Sequence, residues 1–113
     1  MSREVYGVEV QLKRGLLEIC VLAVIRDEPT YGYQIIKDMK PYVEISESTL
    51  YTILKRLEEG EMLNVKMVEH NSRLRKYYKI TNRGLSRIKE FKEYWRDMEN
   101  MYNFIIKKEG TND

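Results

Sequence analysis

The chain of 113 residues holds one cysteine, one histidine and two prolines, and no apolar run long enough to span a bilayer. Cys20 alone cannot close an internal disulfide, and with His70 it is the whole supply of thiol and imidazole ligands, which excludes a structural zinc site. The longest apolar stretch, Leu16 to Ile25, is interrupted by Glu18 and falls well short of the ~20 residues a membrane helix needs. Its flanks lack the positive cluster and the small-residue cleavage site of a secretory signal, so a cytoplasmic protein without membrane attachment is expected. There is no glycine-rich phosphate loop and no nucleophile elbow, and the carboxylates are mostly interleaved with Lys and Arg. The expectation is a protein that is not an enzyme and uses no metal or cofactor. Cys20, in the most apolar stretch, is expected to be an inert core thiol with a raised pKa.

What is present is enough for one folded domain: 42% of residues are hydrophobic and 34% charged. The formal net charge of +2 is unevenly spread. Residues 46 to 84 carry eight bases against five acids, while the segments on either side are close to balance. Within that middle part, Asn71 to Gly84 holds Arg73, Arg75, Lys76, Lys79 and Arg83 and no acid. Such a run makes a positive field that a phosphate backbone would find, although taken alone it also fits a solvated hairpin.

Periodicity gives the order helix, helix, helix, hairpin, helix, with no repeat and no long linker. The first helix spans roughly Val10 to Arg26 and is apolar on nearly every side from Leu16 on, as for a central strut surrounded by neighbours. Thr30 is expected to cap a short second helix whose Tyr33, Ile36 and Met39 face inward, with Pro41 ending it. Ser46 then caps a third helix with Leu50, Ile53, Leu54 and Leu57 at helical spacing, and Gly60 serves as a left-handed stop. The opposite face carries Glu47, Ser48, Tyr51, Thr52, Lys55 and Arg56. Short hydroxyls near a helix start allow close approach to a base pair or phosphate, and long cations further on reach the flanking strand. By itself this is also an ordinary solvent face.

From Met62 to Thr81 the pattern changes to alternation, with Leu63, Val65 and Met67 on one side and His70, Asn71 and Ser72 as the turn. On the return strand Leu74, Tyr78 and Ile80 share a side with Lys76, and Arg73, Arg75, Tyr77 and Lys79 share the other. Three short helices followed by a basic hairpin is the order of a winged helix-turn-helix, in which the third helix enters the major groove and the wing rests on the backbone or minor groove. The fold class is therefore mainly α with a small β-hairpin, in two parts. Residues 1–84 form a DNA-binding winged helix and residues 85–113 a C-terminal dimerisation helix.

These residues resemble the PadR-type transcriptional regulators. Leu16 to Leu22 is similar to the family's first-helix pattern, Tyr31-Gly32-Tyr33-Gln34-Ile35 to its tyrosine-glycine-tyrosine motif, and Thr49 to Glu58 to its recognition helix. Arg75 to Thr81, then Gly84, is similar to its wing strand and entry to the last helix. The likeness runs from about Lys13 to the mid-eighties. It implies a winged-helix homodimer that represses transcription by occupying a double-stranded operator. The single short final helix resembles the short-tailed members, some of which respond to drug-like aromatic compounds. Ser48, Tyr51, Thr52, Lys55 and Arg56 are the candidates for reading or clamping the major groove, and Arg73, Arg75, Lys76 and Lys79 for gripping phosphates. The other reading is a winged-helix interaction module docking an acidic protein.

The last helix points to a partner on its own terms. Ile88, Phe91, Trp95, Met98, Tyr102 and Ile105 recur at intervals of three and four, a heptad seam that would otherwise be an exposed patch of several hundred Å². The expected mate is a second copy, whose two-fold symmetry would set two recognition helices ~34 Å apart, as a palindromic operator requires. The alternative is that part of the seam folds back on Leu16 to Ile25. Phe91, Trp95, Met98 and Tyr102 are also the candidate contacts for a planar aromatic effector, since in drug-responsive relatives a tryptophan at a matching place stacks on flat ligands. Burial of the indole, worth up to about 5 kcal/mol, accounts for Trp95 by packing alone.

Overall fold

The computed structural model describes residues 3–110. Its elements are α1 (Arg3–Arg26), α2 (Gly32–Met39), α3 (Glu47–Glu59), β1 (Leu63–His70), β2 (Arg73–Ile80) and α4 (Asn82–Gly110), the order expected from the sequence. α1 starts seven residues before the expected Val10, with no proline in the added turns to stop it. It touches α2, α3, β2 and α4, which makes it the central strut. Ile19, Val21, Leu22 and Ile25 from α1 meet Ile35 and Met39 from α2, all four apolar residues of the α3 stripe, Leu63 and Tyr78 from the hairpin and Ile88 from α4. Cys20 departs from expectation. It lies on the exposed side of α1, one residue off the buried stripe, although partial desolvation still raises its pKa.

Two helix boundaries follow a different logic from the expected one. Thr30 does not cap α2. Its N–H donates to the carbonyl of Tyr78 at 3.1 Å and its carbonyl accepts from Tyr78 at 2.8 Å, so a one-residue strand bridge fixes the entry to α2. That bridge rotates α2 so that Gly32, Ile35 and Met39 are buried and Tyr33, expected inside, is 61% exposed. At the end of α3 the left-handed residue is Glu61 (φ 60°) and not Gly60 (φ −81°). Met62 N–H reaches the Leu57 carbonyl and Glu61 N–H that of Glu58, the paired bonds of a Schellman ending, with Glu61 in the position glycine usually takes.

The start of α3 matches the expected cap, since the Ser46 hydroxyl accepts from Thr49 N–H at 3.2 Å. β1 and β2 form one antiparallel pair running from Leu63↔Ile80 to His70↔Arg73. Its two-residue turn is Asn71-Ser72 with φ of 51° and 65°, the paired positive values of a type I′ turn, so His70 ends a strand and is not part of the turn. On the side of the hairpin that faces the core only its base packs: Leu63 and Tyr78 are buried and Val65 and Ile80 half-buried, whereas Met67 and Leu74 near the tip are exposed. Thr81 joins hairpin to α4. Its hydroxyl donates to the Glu61 carbonyl at 2.7 Å and accepts from Gly84 N–H at 3.1 Å.

α4 divides lengthwise. Ile88 is 6% exposed and Phe91 packs against the same core, so these two members of the expected seam are used largely within their own chain. Beyond them Trp95, Tyr102 and Ile105 stand out of the body, Met98 is half-buried, and Tyr94, Met101, Phe104 and Ile106 widen the apolar surface past the expected seam. No helix among the described residues is long and apolar enough to cross a membrane.

Candidate nucleic-acid interface

The exposed face of α3 has the composition expected of it, with Glu47, Ser48, Tyr51, Thr52, Lys55 and Arg56 all on the surface. Its hydroxyls are ordered by local bonds. The Thr52 hydroxyl donates to the Ser48 carbonyl at 2.9 Å, and the Ser46 hydroxyl lies 2.9 Å from that of Thr49 and 3.3 Å from that of Ser48. Arg56 is tethered, with its guanidinium 3.1 Å from the carboxylate of Glu18 on α1.

Two surface concavities flank this face and sort the candidate residues. One, of about 370 Å³, is bordered by Tyr51 from α3, Arg75 and Lys76 from β2 and Tyr31, Gly32 and Tyr33 at the start of α2. The candidate helix and the candidate wing thus meet at a single cleft. An added Cβ at Gly32 would lie 2.6 Å from the Tyr51 hydroxyl oxygen, so glycine leaves room for the phenol where it stands. The second concavity, of about 550 Å³, lies between α1 and α3 and includes Ser48, Thr52 and Arg56. Lys55, Arg73 and Lys79 are exposed and border neither.

The basic side of the wing is less free than strand alternation alone implies. Arg75 is half-buried, with its guanidinium carbon 4.6 Å from the ring centre of Tyr31, and the Tyr77 ring is 5.4 Å from the same tyrosine. The Thr30 bridge brings Tyr31 onto this side, so Arg75 is held by a cation–π contact while Arg73, Lys76 and Lys79 stay exposed. Burial raises the phenol pKa of Tyr78, behind the cleft, with smaller contributions from Tyr51 and Glu58.

On α4 the four effector candidates separate. Phe91 and Met98 border a cavity of about 650 Å³ shared with Leu12 and Leu16 of α1, whereas Trp95 and Tyr102 lie outside its border. The Trp95 ring sits 6.0 Å from that of Phe91 and its indole N–H donates to Glu99 at 3.1 Å. Two groups are not evident from the sequence. Lys13 and Arg14 border the α1–α3 concavity; the spacing of Lys13 from Leu17, one helical turn, was the available signal. Tyr31 had no local signal for its place between Arg75 and Tyr77, since a strand bridge 48 residues apart in sequence puts it there.

Comparison with known proteins agrees with this architecture. Residues 21–90 match the transcriptional regulator PadR-like family. A PadR-like transcription factor from Bacteroides fragilis is 34% identical with a TM-score of 0.78, covering 88% of this chain and 98% of that one. A PadR family transcriptional regulator from Eggerthella lenta is 31% identical, also at 0.78, over 90% and 91% of the two chains. Bacillus subtilis PadR in complex with operator DNA shares the fold at a TM-score of 0.63 and 20% identity, over 67% of this chain and 46% of that one. With family match, relatives above 30% identity and a shared winged-helix architecture, the chain belongs to the PadR-like family of transcriptional regulators.

Proposed function

We propose that this chain is a cytoplasmic repressor that binds a palindromic operator as a homodimer and is released by a planar aromatic compound, as in the short-tailed, drug-responsive members of its family. Residues 1–84 serve as the DNA-binding unit and 85–113 as the dimerisation arm; residues 1–2 and 111–113 lie outside those described. The observation that carries the DNA reading is the meeting of Tyr51 with Arg75 and Lys76 at one cleft, because a helix start and a cationic wing must address the same duplex together. The likeness of fold to operator-bound Bacillus subtilis PadR supports it. α3 enters the major groove with Ser48, Tyr51, Thr52, Lys55 and Arg56, and Arg73, Arg75, Lys76 and Lys79 hold the backbone.

Anisotropy titrations across salt test this directly. Log affinity should fall linearly with log salt at a slope near minus 0.9 per phosphate neutralised, with one duplex preferred over others. Lys76→Ala should weaken all duplexes alike and flatten that slope by about one per subunit, while Lys55→Ala should cost about 1 to 3 kcal/mol on the operator alone if it reads a base. Affinity that ignores salt, or is equal for every duplex, favours docking of an acidic protein instead.

For the effector, a flat aromatic compound would seat against Phe91 and Met98, with Trp95 and Tyr102 closing over it. Trp95 is the only tryptophan, so its emission reports this place alone. Planar cationic aromatics should quench it saturably and loosen operator binding by the same coupling free energy from either direction. Emission unchanged across a panel of such compounds would leave Trp95 a packing residue.

A further inference from the structure

Cations and hydroxyl side chains line much of the concavity between α1 and α3, and only the α3 members have a part in the reading above. From α1, Lys13 and Arg14 stand at its border beside Ser48, Thr52 and Arg56. No acid is among its lining residues. Glu18, on α1, contacts Arg56 at 3.1 Å, an ion pair that links α1 to α3. Both α1 cations are exposed. The concavity shares Ser48, Thr52 and Arg56 with the face assigned to DNA, so a strand held by those residues would run beside Lys13 and Arg14.

We infer that Lys13 and Arg14 form a third backbone contact, in which α1 grips phosphates of a strand that borders the groove α3 enters. This rests on the DNA-binding reading and extends it from two elements to three. The contact is to phosphate and not to bases, so it adds affinity and fixes the angle at which α3 enters without choosing a sequence. Lysine and arginine side by side suit such a contact, since the ammonium offers a point charge and the guanidinium a fork that takes two phosphate oxygens.

The test uses the full chain carrying Lys13→Gln and Arg14→Gln together, with Lys89→Gln and Lys92→Gln on the outer side of α4 as a control of equal charge change. Both pairs are exposed, so folding should be retained, and circular dichroism checks it. The slope of log affinity against log salt should become shallower by about 1.8 per bound subunit for the α1 pair, at ~0.9 per phosphate, and stay unchanged for the α4 pair. Operator and unrelated duplexes should weaken by the same factor. A wild-type slope that persists in the α1 variant, or an equal loss in both variants, overturns the α1 contact while leaving DNA binding intact. A wild-type protein that shows no salt-dependent DNA affinity overturns the parent reading, and this contact with it.

Discussion

Exchanging Ile105 for glutamate is expected to leave the fold intact and convert a dimer into monomers. Ile105 is 60% exposed in the isolated chain and lies outside the core cluster, so the single chain loses little by the change. In a two-fold seam along α4, however, the substitution sets two carboxylates in a dry contact without a cation between them. An unpaired buried charge costs several kcal/mol, enough to shift association by orders of magnitude. Ile105 is a better probe than Met98, because half-buried Met98 also borders the cavity against α1 and would perturb both contacts at once. Light scattering should report monomer and circular dichroism an unchanged helix content, the melting temperature should fall by what association contributed and lose its dependence on protein concentration, and operator affinity should fall because two half-sites are no longer bound as a unit. A variant that remains dimeric would move the interface away from the outer half of α4. A wild-type monomer would leave the wide stripe from Tyr94 to Ile106 without its proposed mate.

Gly84→Ala is expected to destabilise the protein by about 1 to 3 kcal/mol, although alanine is the better helix former by ~1 kcal/mol. A Cβ at this position would lie 2.6 Å from Ile80 Cγ1 and 2.6 Å from the carbonyl oxygen of Met62. The first neighbour can turn away, but the second is backbone and is held in place, accepting from Thr81 N–H at 3.0 Å. The Thr81 hydroxyl then bridges Glu61 and Gly84, so hairpin base and helix start move only together. A shift here changes the angle between wing and α4 as well as stability. Denaturant midpoints should fall with no change in slope, and the melting temperature should drop by roughly 4 °C per kcal/mol. An unchanged or raised midpoint would mean that the joint yields at no cost, and that glycine is dispensable at the entry to α4.

Local periodicity and local chemistry suffice for a large part of this molecule. The order of six elements, the Ser46 cap, the buried stripe Leu50, Ile53, Leu54 and Leu57 and the polar face opposite it follow from residues within one or two turns of each other. The same is true of the likeness to PadR regulators, which rests on contiguous motifs, most of them within the span that the family matches. Contacts between residues distant in the chain account for the rest. The bridge between Thr30 and Tyr78 turned Tyr33 outward and Ile35 inward, because two backbone hydrogen bonds outweigh the preference of one aromatic ring for burial on a short helix. The same bridge set Tyr31 against Arg75 and so converted one rung of a basic ladder into a fixed contact. It also took the packing of α1 on α3 to bring Lys13 and Arg14 beside Ser48 and Thr52, and the packing of α1 on α4 to draw Ile88 into the core while leaving Ile105 outside. A heptad spacing states which residues share a face of a helix; which neighbour covers that face is fixed only when the elements pack, because burial depends on the whole arrangement and not on the spacing alone.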